Sequence, residues 1–360
     1  MKWIFVPLAA LLLNCAQGLE AQVTLSAAVN SASYLNASLP NGNLAQGGIF
    51  IAFGKGIGPS KLAQSSAFPL PAQLAGTSIS VTVGGTTVPC IMLYTTATQV
   101  AAVLPSSTPV GSGTMLATYN GVNSAPLNIT VAAHDFGVFA VNQGGNGAGV
   151  FTNAITNVVN AQNASANPGD LVDIWGTGLG AVAGNEAAGP LPGPIPNLDL
   201  QVFVGTQQAQ VMYAGRSGCC TGLDQIEISV PAGVSGCAVP VYIVDGGVVS
   251  NFITISIAQS GTACSDPGGY DPSILQTAQK NGSLRVGSLS LSRIHAYTAK
   301  IDYQGDAAGA YFGNIPLADL NQPVQIPAAN TCEVIQFPSS VTAVAPTGLD
   351  AGKVTPAKSH

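Results

Sequence analysis

Short apolar runs with a period of two fill the middle of the chain. Ile226-Glu-Ile-Ser-Val230, Val239-Pro-Val-Tyr-Ile-Val244 and Phe252-Ile-Thr-Ile-Ser-Ile257 are rich in β-branched residues, the pattern of strands that turn one face to a core. Gly, Pro, Asn and Ser separate the runs, and Gly246-Gly247 between two of them is a hairpin turn signal. No stretch holds a helical period between capping residues, although Pro272 to Lys280 could make one short helix. The pattern predicts an all-β fold.

The runs recur. Gly48 to Gly58 aligns with Asp170 to Gly180 at an offset of 122, while Leu70-Pro71 matches Leu191-Pro192 and Val81 to Gly84 matches Val202 to Gly205 at 121. Gln99 to Pro105 matches Gln225 to Pro231, and Ser124 to Val131 matches Ser250 to Ile257, at 126. Matched blocks in one order are the signature of tandem modules. The jump in offset places extra residues around Arg216 to Gly222 in the second copy, read as a loop insertion. Copies of this length, with roughly seven strands each, predict two tandem immunoglobulin-like β-sandwiches followed by a smaller β-rich C-terminal segment. The expected boundaries are a signal peptide over 1–18, a first module over 26–132, a linker and the start of the second repeat over 133–166, a second module over 167–258, a third domain over 264–350 and a fraying tail over 351–360.

Val29-Asn-Ser-Ala-Ser-Tyr34, the Phe-Gly-x-Gly-x-Gly strand end, Leu-Pro ahead of a Val-x-Val-Gly strand, Gly137-Val-Phe139, Asn167-Pro-Gly-Asp170 and Gly222-Leu-Asp-Gln-Ile226 occur together. In this combination the chain resembles secreted soil-bacterial proteins built of tandem Ig-like modules related to IPT/TIG domains. The resemblance covers residues 26 to 258. It implies a fold and an exported address, and it implies no activity.

Composition narrows the function. Only 7% of the 360 residues are charged and the net charge is -6, against roughly 25% charged in an average protein. Without a basic cluster to displace counterions, nucleic-acid binding is excluded. Lys2, the apolar run Ile4 to Leu13 and small residues at Ala16 and Gly18 read as a secretory signal, cleaved after Gly18 or, as second choice, after Ala21. The run falls short of the ~20 residues that span a bilayer, so the expected address is secreted or cell surface, with no transmembrane segment. Few charges to screen also predict a monomer or weak dimer whose solubility changes little with salt, with Pro89, Pro126 and Pro240 guarding sheet edges.

Candidate chemistry is sparse. Asp173-Ile-Trp-Gly-Thr-Gly-Leu-Gly-Ala181 carries the letters of a dinucleotide fingerprint, but prolines at 190, 192, 194 and 196 forbid the helix that would aim amides at pyrophosphate. His134, His295 and His360 have no metal-binding spacing, and Asp170 and Asp173 lack the acidic loop a hard cation needs. Glu186, Asp199, Asp224, Glu227 and Asp245 are available as paired carboxylates, yet strand ends and loops normally expose such acids. Trp175, Tyr213, Tyr242, Tyr270, Tyr297, Tyr303 and Tyr311 are the candidate sugar-binding aromatics; Trp175 aligns with Phe53 and reads as a core position, while Tyr270, Tyr297, Tyr303 and Tyr311 of the third segment are less constrained and free to form a ligand-facing surface. No catalytic residue, metal site or cofactor is expected. The expected role is a non-enzymatic secreted or surface protein whose modules serve adhesion, spacing or binding of an extracellular glycan or protein. The alternative is a carbohydrate-active enzyme or binding accessory with its site in the C-terminal segment.

Six cysteines follow Cys15. Strand order brings Cys237 and Cys264 to one end of the second sandwich, within disulfide reach. Cys219 and Cys220 are left to form a vicinal bridge or to reach outside the domain, with Cys220 to Cys237 as the rival pairing. Cys90 reads as a buried free thiol and Cys332 stays unassigned.

Overall fold

A computed structural model describes residues 22–265, 277, 280–298 and 301–316. The first module runs through β1 (Thr24–Asn30), β2 (Leu44–Ala45), β3 (Ile49–Lys55), β4 (Ala63–Gln64), β5 (Thr77–Val83), β6 (Thr86–Pro89), β7 (Ile91–Thr95), β8 (Gln99–Val103), β9 (Gly111–Tyr119), β10 (Val122–Asn123) and β11 (Leu127–Ala132). One layer has the order β1-β3-β8-β7-β4 and the other β2-β11-β9-β5-β6, with β10 on β9. Strand alternation builds the core between them. In β5, Ile79, Val81 and Val83 point inward and meet Phe50, Ala52, Met92, Val100, Ala102 and Met115.

The second module repeats the plan through β12 (Gly137–Val138), β13 (Phe151–Asn153), β14 (Leu171–Thr177), β15 (Gly193–Pro194), β16 (Leu200–Val204), β17 (Gln207–Arg216), β18 (Asp224–Ser229), β19 (Gly236–Asp245), β20 (Val248–Val249) and β21 (Ile253–Ile257). Its strands join into one curled sheet, β12-β14-β18-β17-β16-β19-β20. β17 causes the joining. Where the first module breaks between β6 and β7 at Cys90, β17 continues through a bulge between Val211 and Tyr213 and passes from one layer to the other. The hairpin expected at Gly246-Gly247 connects β19 to β20, with both glycines at positive φ.

One expectation is corrected here, and one segment is described in more detail. Within 133–166, β12 and β13 pair with β14 as β1 pairs with β3, and Phe136, Val138, Ala140 and Phe151 fill the second core. Trp175 is not a core residue. In β14 it is Val172 and Ile174 that turn inward, so period two sends Trp175 to the outer face, as it sends Phe53 beside Ile51 and Tyr94 outside the main core of the first module.

Of the third segment, the described strands are β22 (Ser283–Thr298) and β23 (Ile301–Pro316), an antiparallel ribbon in unbroken register from Ser283↔Pro316 to Thr298↔Ile301. Thr277 and Lys280, within the expected short helix, are helical. The signal segment, Tyr270, Cys332, His360 and the tail lie outside the described residues, as do the side chains of Tyr297, Tyr303 and Tyr311. Among the described residues no helix is long and apolar enough to cross a membrane.

Candidate functional site

The least expected chemistry lies where the two sandwiches meet. Arg216 ends β17 opposite Asp224, which begins β18. The side chains are 2% and 0% exposed and form a direct ion pair. Arg216 Nη2 donates to the carbonyl of Gly180 at 2.9 Å and crosses the boundary to that of Gly47 at 2.7 Å. Glu186 Oε1 lies 3.7 Å from the same nitrogen, and its Oε2 accepts the Ser106 N–H of the first module at 2.7 Å. Gly47 has to be glycine, since a Cβ there would sit 2.0 Å from the guanidinium.

Asp224 also explains the glycine-rich strand end. The N–H groups of Gly178 and Leu179 donate to its Oδ2 at 2.7 and 2.8 Å, so the amides that a nucleotide fingerprint would offer to phosphate bind an internal carboxylate. Burial pushes Asp224 up to about 6, against the opposing pull of Arg216 and those amides. The surrounding contacts also cross the boundary. Thr177 Oγ1 donates to Gly222 O at 2.6 Å and accepts Ile49 N–H at 2.8 Å. Asn30 Nδ2 donates to Asp135 O and Thr177 O, and Asn43 N–H to Asp135 Oδ2 at 2.8 Å. Burial raises Asp135 to about 6, offset in part by the Asn43 bonds and His134.

The acids therefore depart from expectation. Glu186, Asp224 and Asp245 are buried, whereas Asp199 is exposed and Glu227 half-buried. Asp245 sits 3.1 Å from His134 Nδ1. Asp224 has both oxygens on internal donors, which removes it as a catalytic carboxylate. Asp173 accepts Gln225 Nε2 at 2.8 Å, Asp170 Oδ2 accepts the Asn167 N–H at 2.8 Å, and among the described residues no cluster could hold a metal ion. Arg216 belongs to a strand, and the insertion proper is the loop 217–223, seated against the first module. Sequence reasoning missed this cluster, although a lone Arg at the edge of an insertion in so uncharged a chain was the available signal.

A second feature is an open groove of about 600 Å³ lined by Phe139, Val141, Val150, Val159, Trp175 and Cys219. Trp175 Nε1 donates to Thr152 Oγ1 at 2.8 Å, which fixes one edge of this groove-lining ring. Tyr242 of β19 stands between Phe203 of the neighbouring β16 and Phe252, which precedes β21, with centroids 4.9 and 5.0 Å apart. The cross-strand stack of Phe203 on Tyr242 braces the sheet.

Cys237 and Cys264 form a disulfide with Cα atoms 5.1 Å apart, which overturns the rival Cys220 to Cys237 pairing. Cys219 and Cys220 are exposed thiols with sulfurs 2.8 Å apart, and Cys90 is a buried free thiol pushed up by desolvation.

No family model and no curated protein matches the chain. Among solved structures it is similar to the SGBP-B from a complex xyloglucan utilization locus in Bacteroides uniformis, at 8% identity and TM-score 0.21, covering 79% of this chain and 60% of that one. This chain thus spans less than two thirds of that protein. It is also similar to the SGBP-B of the Bacteroides ovatus mixed-linkage glucan utilization locus, in complex with a mixed-linkage heptasaccharide, at 13% identity and TM-score 0.27, covering 73% and 68%. The titin Ig tandem A164-A165 matches at 9% identity and TM-score 0.17, covering 60% and 90%. TM-scores of this size say nothing of ligand or activity.

Proposed function

We propose that this chain is a non-enzymatic extracellular protein whose two Ig-like sandwiches act as one rigid binding and spacing unit, with modules of the IPT/TIG-related kind that the repeat motifs resemble. The observation that carries this reading is the Arg216 cluster. Two independent modules on a linker need no buried ion there, and desolvating a guanidinium and two carboxylates is costly unless the geometry is closely met. The cluster defines one relative placement of the modules. Both Asp224 oxygens are taken by Arg216 and by backbone amides, which supports a structural use of that carboxylate over turnover. Incubating the full chain with a panel of polysaccharides and assaying reducing ends tests the reading. No sugar release is expected, and turnover of any one would overturn it.

A second reading, a glycan-binding accessory, is favoured by Trp175 in its groove, since an aromatic face with a fixed edge suits the apolar face of a sugar ring. Glycan-array binding that is lost in Trp175→Ala would support it. Binding unchanged by that substitution would move the site elsewhere, such as to the C-terminal tyrosines.

A further inference from the structure

The insertion that seats the modules carries two adjacent cysteines, and their setting is specific. The loop closes through Ser217 N–H to Leu223 O at 2.9 Å and Leu223 N–H to Cys220 O at 3.2 Å. Ser217 Oγ accepts the Cys219 N–H at 3.2 Å and donates to Cys219 Sγ at 3.3 Å. The two sulfurs, 2.8 Å apart, are within about 1 Å of the ~2.05 Å bonding distance. Both residues are open to solvent. The next two residues are the opposite, since Thr221 Oγ1 donates to Glu186 O at 3.1 Å and Gly222 O accepts Thr177 Oγ1. An accessible thiol pair is thus spliced directly onto the buried boundary. The first repeat has no counterpart to this loop.

We propose that Cys219 and Cys220 are a two-electron redox site, a vicinal dithiol that closes to a disulfide by exchange with an external low-molecular-weight disulfide and thereby stiffens the loop that seats one module on the other. The Cys219 thiolate attacks one sulfur of the external disulfide, forming a mixed disulfide and releasing one thiolate. The Cys220 thiolate then attacks Cys219 Sγ and releases the second. The protein loses two electrons and two protons, and the external disulfide becomes two thiols. Desolvation and the neighbouring Cys219 push the Cys220 thiol up to about 11, which suits it to the second, intramolecular step, where proximity compensates for a low thiolate fraction.

The test uses the full chain, mildly reduced and then exposed to glutathione disulfide, alkylated and cut with trypsin and a Glu-specific protease. Cleavage after Arg216 and Glu227 isolates Ser217 to Glu227, which holds these two cysteines and no others. In the oxidised sample this peptide should lose both alkyl groups and weigh two hydrogens less than the free dithiol. In Cys219→Ser the closure should be lost. A persistent glutathione adduct on the unsubstituted peptide, two alkylated cysteines, or a cross-link to Cys237 would each overturn the proposal. Amide exchange over 178–186 should be severalfold slower in the oxidised chain, and exchange there that ignores oxidation would refute the coupling to the boundary.

Discussion

Arg216 of the second sandwich donates a 2.7 Å hydrogen bond to the carbonyl of Gly47 in the first, while its other terminal nitrogen pairs with Asp224. One guanidinium thus serves two cores. Arg216 is 2% exposed, so its loss leaves Asp224 and Glu186 without their cation and out of reach of water. Arg216→Ala is expected to destabilise the chain by about 3–5 kcal/mol, the usual result of breaking a buried pair. Denaturant titration checks this, and a cost below ~1 kcal/mol would mean that the pair behaves like a surface one.

Gly222 and Gly247 separate packing from backbone strain. Both have positive φ, +79° and +84°, but a Cβ on Gly222 would come 2.7 Å from Ile49 of the other module, whereas Gly247 has open space. Gly247→Ala should cost about 1 kcal/mol, from the left-handed backbone alone. Gly222→Ala should cost clearly more. Equal losses in thermal or denaturant melts would show that the boundary yields freely at Gly222.

Stability should fall as pH rises from about 4 to 6. Asp135 is raised from 3.8 to about 6 by burial, and Asp224 is raised likewise. In that window the folded chain keeps protons that the unfolded chain has released, so raising the pH favours unfolding until both groups have ionised. Above pH 6 their contribution is level. Asp135→Asn should flatten part of this slope, and stability that climbs between pH 4 and 6 would contradict the assignment.

The Cys237–Cys264 disulfide spans a sequence separation of 27, for which the loop-entropy relation gives roughly 3–4 kcal/mol. The double substitution Cys237→Ala with Cys264→Ala should lower stability by about that amount. It should leave the Ser217 to Glu227 redox behaviour unchanged. A neutral result in denaturant melts would place the constraint elsewhere.

The sheets were legible because period-two runs and matched repeats report one-sided burial and a copied plan. β3 and β14, or β5 and β16, can be aligned from letters alone. Trp175 was misplaced because alignment with Phe53 reveals an equivalent position and leaves open which face is inside. The boundary was illegible for a different reason. Arg216, Asp224 and Glu186 converge only after β17 has crossed between layers, and no local pattern signals a charge whose partners come from another module. The insertion was visible, but its purpose lies in what Gly222 and Thr221 touch.

Module-resolved hydrogen exchange of the full chain in increasing denaturant tests the central claim most directly. If the Arg216 cluster makes the sandwiches one unit, amides of β3 in the first module and of β14 in the second should lose protection in a single cooperative step. In Arg216→Ala that step should separate into two. Independent opening of β3 and β14 in the unsubstituted chain, at clearly different denaturant concentrations, would contradict the account.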